Sequence, residues 1–224
     1  HSTCNFDDWK KTRVFSSLIE FLYFSKVLQI PLLYANVELG FSYSKLIELF
    51  IENQTKFEII AEVINSFEDH ADSITRGGSE FILTKEWGGV YWPPGEYAYL
   101  SLVSNNKLDD LYKASKSILQ GITRNEEDKN IMSDCIKYNA FRISRPNIET
   151  INIQLNYPID EYYDEWLYNK IPAKQKSSFD FTLENIPKYD SFFDWAKKVV
   201  WYGHRTGAYL SGDVRMEKDI AGHY

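Results

Sequence analysis

The sequence predicts an α+β fold that is predominantly α-helical, with a small antiparallel sheet of two or three strands in its C-terminal part. Apolar residues recur at helical spacing through most of residues 7–141, and they alternate with polar residues at 151–155 and 179–183. Glycine pairs and prolines separate these segments. We expect a helical domain over residues 1–145 and a small α+β part over 146–224 that packs on it, or one domain in all.

Four helices are predicted in the first third of the chain. The first is long and rich in aromatic residues, and Asp7 and Asp8 precede it in capping positions. Pro31 interrupts the apolar pattern after it, and Gly40 is placed to end the second helix. Ser42 precedes the third helix. The four helices are expected at about 9–30, 32–40, 45–51 and 54–72.

A short β-hairpin and three helices are predicted for the middle of the chain. The hairpin strands, 81–83 and 90–92, flank a pair of glycines. Two prolines before Gly95 begin a helix, because a proline in the first turn lacks an N–H that would be unpaired there. Glu96 suits the positive end of the helix dipole. The helices are expected at about 95–103, 107–119 and 128–141.

The C-terminal part is predicted to contain two strands and two helices. Apolar and polar residues alternate over 151–155 and 179–183, so we expect these strands to pair. A short helix over 159–168 is expected between them. Asp190 precedes the last helix, which is expected to run to about Tyr202 before a polar tail with several glycines.

Composition and charge disfavour several classes of function. The 224 residues carry 25 basic and 32 acidic side chains, with a net charge of −7 and a pI near 5.2, which disfavours binding to nucleic acids and anionic membranes. No secretory signal or membrane-spanning stretch is recognised. Cys4 and Cys135 are too few and too far apart for a disulfide framework or a thiolate metal site. We therefore expect a cytoplasmic protein with no nucleic-acid or membrane partner.

The aromatic share of 16% is high, and one group of rings stands beside cationic side chains. Trp201 and Tyr202 are followed by a glycine, His204 and Arg205 where the last helix ends. Rings beside a planar donor can stack on a ligand and clamp it. Together with Trp92, these four residues are the predicted substrate-binding set. The alternative is that His204 and Arg205 bind the last helix carbonyls while Trp201 packs in the core.

Other constellations are incomplete, and we assign no catalytic, cofactor-binding or metal-ligating residue. His70 lies beside Asp69, but neighbouring residues on a helix point in different directions. The four acids within 160–165 have the number of carboxylates for a metal site, yet acids in a first turn also stabilise a helix. An enzymatic hypothesis would join these acids to residues 201–205 in a hydrolase or transferase site. No phosphate loop or nucleophile elbow surrounds the glycines or serines.

Three sets of short segments, in this order along the chain, carry a family resemblance. The first is Asp8-Trp9-Lys10-Lys11 with Val14-Phe15-Ser16, followed by Gly40-Phe41-Ser42-Tyr43. The second is Tyr91-Trp92-Pro93-Pro94-Gly95-Glu96-Tyr97-Ala98-Tyr99-Leu100. The third is Trp195-Ala196 leading to Val200-Trp201-Tyr202-Gly203. Together they resemble the C-terminal region of cobalamin-binding radical SAM proteins, the group of iron–sulfur oxidoreductases and radical methyltransferases.

The resemblance implies an accessory C-terminal domain that caps or shapes the substrate site of a B12-binding radical SAM enzyme and is not catalytic alone. For the parent protein it implies S-adenosylmethionine, a 4Fe-4S cluster and cobalamin, and it makes the other domains of that chain the partners. The cluster needs three cysteines in a CxxxCxxC array, which this sequence lacks. The start at His1 without a methionine also suggests a piece of a longer protein. The alternative is a free-standing helical protein-interaction module with an aromatic groove.

Overall fold

The computed structural model describes residues 5–148, 150–184, 186–202 and 213–218. It confirms the predicted α+β class, because helices dominate and the strands form two small antiparallel sheets. Two segments, π1 and π2, have the wider π-helical turn. In chain order the elements are α1 (Phe6–Ile19), π1 (Glu20–Phe24), α2 (Gln29–Val37), α3 (Tyr43–Glu52), a 3-10 turn (Gln54–Lys56), α4 (Glu58–Thr75), β1 (Ile82–Thr84), β2 (Val90–Trp92), α5 (Pro94–Ser104), α6 (Leu108–Gln120), α7 (Glu126–Arg142), β3 (Ile151–Leu155), α8 (Ile159–Leu167), β4 (Phe179–Glu184), α9 (Phe192–Trp195), π2 (Ala196–Trp201) and β5 (Asp213–Lys218).

The strands form two separate sheets. β1 and β2 make the predicted hairpin, with Leu83 opposite Tyr91. β3, β4 and β5 lie in that order in the second sheet, and β3 pairs with β4 as predicted, with Ile153 opposite Phe181. The prediction of a polar tail was wrong for residues 213–218, which form β5 on β4. Residues 213–218 have only two apolar residues among charged ones, which is a weak strand pattern. They form a strand because they pair with β4.

Two helix boundaries differ from the prediction for identifiable reasons. Pro31 does not interrupt a helix but lies in the first turn of α2, where the N–H that it lacks would have no partner within the helix. Ser191, and not Asp190, caps the last helix, because its hydroxyl accepts a hydrogen bond from the Asp194 N–H at 3.0 Å. From residue 196 onward this last helix is a π-helix.

The core forms around α2, which is buried along most of its length. α7 and α8 pack on α2, α6 packs on α7, and α1 packs on α4. Buried apolar residues of the helical part and of the C-terminal sheet belong to one hydrophobic cluster. Much of the aromatic surplus is therefore core, and its largest fully buried rings are Trp92, Trp166, Trp195, Tyr34, Tyr99, Tyr138, Tyr157, Phe21, Phe50, Phe179 and Phe181.

The side chain of Asn139 on α7 hydrogen-bonds the backbone at the start of α2. Its side-chain oxygen accepts the Ile30 N–H at 3.1 Å, and its nitrogen donates to the carbonyls of Lys26 at 3.0 Å and Val27 at 2.7 Å. The Tyr112 hydroxyl lies 3.3 Å from the same nitrogen. This fully buried amide satisfies backbone groups ahead of a helix that has no side-chain cap of its own.

The chain bends sharply where Asn139 holds it. The segments Phe6–Phe24 and Gln29–Val37 meet at a bend of 98°, and Lys26 between them has a left-handed φ of 60°. Among the described residues, no single helix is long and apolar enough to span a membrane. Only this bent pair, taken together, reaches the required length and composition.

Candidate functional site

The junction between β2 and α5 lies between the two π-helices. It carries Trp92, a predicted site residue, and the first turn of α5. π1 packs on α5, and Trp201 at the end of π2 packs against Trp92. π-helical turns are rare, and they are frequent at functional sites. Because two of them meet this junction, we take it as the candidate site.

Gly95 allows π1 to approach the first turn of α5. A Cβ atom on Gly95 would lie 2.9 Å from Cγ of Glu20 and 3.0 Å from the backbone nitrogen of Phe21. A larger residue would therefore push π1 and α5 apart. Pro94 begins the helix and Gly95 leaves room for π1. The proline and the glycine at these two positions therefore each have a structural role.

Glu96 is a buried acid, with only 4% of its surface exposed. Burial raises the pKa of this carboxyl to about 8, and the negative charge of Glu20 adds to the rise. Glu96 is therefore mainly protonated at neutral pH and is able to donate a hydrogen bond as well as accept one. From the sequence it was interpreted only as a favourable charge at a helix end. Its position in a run of apolar and aromatic residues is the signal that points to burial.

Three of the five predicted site residues lie within the described part of the chain. Trp92 is fully buried and Trp201 is 38% exposed, and their rings meet edge to face with centroids 5.1 Å apart. The Trp92 indole N–H has no hydrogen-bond acceptor among the described residues. Tyr202 is 59% exposed, and no described contact joins it to Trp92. The other two predicted residues, His204 and Arg205, lie outside the described residues.

The outer face of the hairpin is apolar and exposed. Phe81, Leu83 and Tyr91 are 50%, 47% and 51% exposed. Leu83 is opposite Tyr91, and Phe81 stands two residues before Leu83, so the three side chains share one face. The hairpin turn is packed against the C-terminal segment, because a Cβ atom on Gly88 would lie 2.2 Å from Cζ of Phe193.

Among the described residues, the acidic constellations noted in the sequence form no metal-binding group, although burial raises the pKa of Asp160, whose Oδ1 has no described hydrogen-bond partner. Asp72 pairs with Lys10 at 2.8 Å, and burial lowers the pKa of His70. The acids within 160–165 lie on α8, whose main packing partners are α2 and α7, whereas Trp201 packs on Trp92 of β2. For Trp201 and Tyr202, the described residues of the 201–205 segment, the structure gives no geometric support to a site shared with these acids.

A second polar cluster is buried, and the sequence pattern did not predict it. Asp128 is fully buried and accepts hydrogen bonds from Arg124 at 2.8 Å, the Tyr34 hydroxyl at 3.0 Å and Lys174 at 3.2 Å. Burial alone would raise the Asp128 pKa, but these hydrogen bonds outweigh it and lower the pKa to about 2. The Lys174 ammonium also lies 3.6 Å from Glu38. Tyr34 and Lys174 are 94 and 46 positions from Asp128, so no local motif signals the cluster.

The chain's own side chains do not fit a four-iron cluster. Such a cluster needs at least three cysteine thiolates, and this chain has two cysteines. Cys135 is buried, and burial raises its thiol pKa far above the usual range, which disfavours the thiolate. Within the described ranges, no three His, Cys, Asp or Glu side chains form a group that could hold a metal ion. Comparison with known proteins gives no relative, since no protein-family model and no curated protein matches the chain.

Proposed function

We propose that this chain is the accessory C-terminal domain of a B12-binding radical SAM enzyme, where it docks on another domain and caps or shapes the substrate site. It has no catalytic activity alone. The observation that carries the proposal is the exposed apolar outer face of the hairpin, whose second strand also carries Trp92. The sequence resemblance implies the parent enzyme, and the outer face of the hairpin is the surface through which this domain would dock.

The hairpin face has the composition of an interface. Phe81, Leu83 and Tyr91 are large apolar side chains, and the centres of protein interfaces are rich in aromatic residues and poor in charged ones. A two-stranded hairpin is marginally stable alone and needs packing on at least one face. Its inner face has that packing through Trp92, and a docked domain would cover the outer face.

The size of the exposed surface favours another domain of the same chain over a second copy. Three side chains of the outer hairpin face are about half exposed and together leave roughly 250–350 Å² for contact on this side. Interfaces between domains of one chain bury about 600–1,500 Å² when both sides are counted. Obligate homodimers bury about 2,000 Å² or more. The three side chains are Phe81, Leu83 and Tyr91.

The cofactors of the parent enzyme belong to its other domains in this proposal. S-adenosylmethionine, the 4Fe-4S cluster and cobalamin are implied by the resemblance alone, and the donors of this chain do not fit the cluster. This chain would contribute contacts to the substrate. Trp201 and Tyr202 would stack on its apolar part, with the buried Trp92 ring supporting Trp201 from below, and His204 with Arg205 would bind an anionic group on it.

The identity of the parent is tested by the coding sequence upstream of His1. We expect it to encode a CxxxCxxC array in the same reading frame. An upstream reading frame without that array overturns the proposed parent, whatever the hairpin does.

The docking surface is tested in the full-length protein. Tyr91→Glu places a charge on the outer hairpin face, so the amides of residues 81–83 and 90–92 should exchange with solvent at least tenfold faster, and turnover should fall. Tyr168→Glu is the matched control, since Tyr168 is 75% exposed elsewhere, and it should change neither quantity. Equal behaviour of the two variants would show that the hairpin face is not the docking surface.

A free-standing interaction module is the second candidate, because a separate protein could cover the same exposed rings. Four surface cavities of about 220 to 480 Å³ include none of these rings, and Phe57 is the only aromatic residue that lines any of the four. The module would therefore bind through the flat hairpin face rather than one of these cavities. A gene that begins near His1, with a partner that Tyr91→Glu releases, would favour this candidate.

A further inference from the structure

Residues 169–178 form a strap beside the Asp128 cluster. The strap has no helix or strand, and most of its residues are exposed. At one end Asn169 turns the chain after α8 with a left-handed φ of 55°, and at the other the Ser177 N–H donates to the Asn156 carbonyl at 3.0 Å. A segment with fixed ends and little buried apolar surface is typical of those that open locally.

The Tyr162 hydroxyl holds the middle of the strap at one point. It accepts the Gln175 N–H at 2.6 Å and lies 3.4 Å from the Ala173 carbonyl, to which it donates. These hydrogen bonds are local, since Tyr162 belongs to the helix that the strap follows. They position the strap on α8 but do not join it to the rest of the core.

Lys174 joins the strap to the core. Its ammonium lies 3.2 Å from Asp128, 3.6 Å from Glu38 and 3.8 Å from Glu127. The Asp128 and Glu38 side chains are almost completely buried, so the Lys174 ammonium of the strap lies beside two buried carboxylates. Removing that cation leaves buried negative charge without its compensation, which is strongly unfavourable unless water enters.

Two aromatic rings pack beside the carboxylates that Lys174 contacts. The Trp166 indole N–H donates to Glu38 at 2.9 Å, and the Trp166 and Tyr34 rings lie 5.3 Å apart. Trp166 and Tyr34 are fully buried. Lifting the strap would therefore admit water to the two carboxylates and the two rings, and Trp166 would report on the change in polarity.

We propose that residues 169–178 are a gate that opens as a unit, and that the Lys174 ammonium is its latch. When the gate is closed, the Lys174 ammonium balances the negative charges of Asp128 and Glu38. In the open gate Arg124 and Tyr34 continue to bind Asp128, so the core retains its fold while Glu38 becomes hydrated. The gate thus controls water access to these two carboxylates without unfolding α2 or α7.

Lys174→Met tests the latch, because it removes the charge and keeps an unbranched side chain. Lys176→Met is the matched control, since Lys176 is an exposed lysine of the same strap. We expect trypsin to cleave the Lys170–Ile171 bond, which all variants share, at least tenfold faster in Lys174→Met than in Lys176→Met or the unaltered protein. The hydrogen exchange of Gln175 and Ser177 should accelerate by a similar factor.

Hydrogen exchange of the backbone amides in α2 and α7 distinguishes opening of the gate from destabilisation of the whole fold. The gate predicts that their amides change by less than twofold in Lys174→Met and that Lys174→Arg restores slow cleavage at residue 170. Acceleration of α2 and α7 to the same extent as the strap would overturn the proposal, as would cleavage that does not change in Lys174→Met.

Discussion

At the scale of single residues, Glu96 makes the stability of the fold depend on pH. The folded chain keeps the Glu96 proton up to a pH of about 8, whereas an unperturbed glutamate releases it near 4.5. Between these values the folded state binds one proton more than the unfolded state. The free energy of unfolding should therefore fall as pH rises through this window, by up to about 1.4 kcal/mol per pH unit.

Glu96→Gln should remove this slope, because the amide has no proton to lose. Urea unfolding at several pH values between about 5 and about 8 measures it. Glu80→Gln is the control, since the Glu80 side chain is 69% exposed and should leave the slope as it is. A slope that persists unchanged in Glu96→Gln would assign the pH dependence to another group.

Gly95 has little room for a larger side chain. Gly95→Ala would bring a Cβ atom within 3.0 Å of the Phe21 backbone, which cannot rotate away as a side chain can. We expect a loss of about 1–3 kcal/mol in the free energy of unfolding. Ser104→Ala, at the exposed far end of α5, should cost less than about 0.5 kcal/mol. Chemical denaturation of both variants checks this, and equal costs would contradict the close approach.

At the scale of elements, α2 depends on Asn139 for its start. Asn139→Ala leaves the Ile30 N–H and the carbonyls of Lys26 and Val27 buried without their partner. We expect a loss of about 2–4 kcal/mol, from several hydrogen bonds and a small cavity. Asn105→Ala removes an exposed amide at the end of α5 and should cost less than about 0.5 kcal/mol. Thermal unfolding of the two variants makes the comparison.

The order and type of most elements followed from local pattern, and the exceptions depend on distant partners. The β3–β4 pair was predictable because alternation over five residues is unambiguous. β5 was not, since Val214 and Met216 among charged residues form a strand only by pairing with Leu183 and Phe181 of β4. The π-helical turns were also missed, because apolar spacing does not distinguish them from an α-helix.

The candidate site was only partly predictable for the same reason. Ring clustering pointed to Trp92 and Trp201, which the structure brings into contact. Glu96 was interpreted only as a favourable charge at a helix end, because a sequence shows an acid in a first turn and does not show that it is buried. The Asp128 cluster could not be recognised from local sequence, since only Arg124 is a near neighbour and the other partners, Tyr34 and Lys174, come from α2 and the strap.

At the scale of the whole molecule, the Asp128 cluster ties α2, α7 and the strap together. Asp128→Asn leaves Arg124 and Lys174 without their shared carboxylate, and we expect a loss of about 3–5 kcal/mol at neutral pH. Asp110→Asn breaks the exposed pair with Lys113 and should cost at most about 1 kcal/mol. Urea unfolding compares the two, and similar losses would mean that burial of the cluster contributes little.

The same cluster predicts how the molecule responds to acid. The Asp128 pKa is about 2 in the folded chain and 3.8 without perturbation. Its contribution to stability is therefore fully present above a pH of about 4 and is lost as pH falls towards 2. Acid unfolding followed by circular dichroism should begin at a higher pH in Asp128→Asn than in the unaltered chain. An identical acid transition would show that other carboxylates set it.

The contact between Asn139 and the start of α2 also has a consequence for synthesis on the ribosome. Asn139 lies 109 positions after Ile30, so the bend between π1 and α2 has no buried amide to hold it until that residue has been made. At about 5–20 residues per second, this interval is roughly 5–20 s. During that time the apolar surface of α2 lacks α7, on which it packs in the finished molecule. The nascent chain is thus most exposed to misfolding and to chaperones before translation reaches α7.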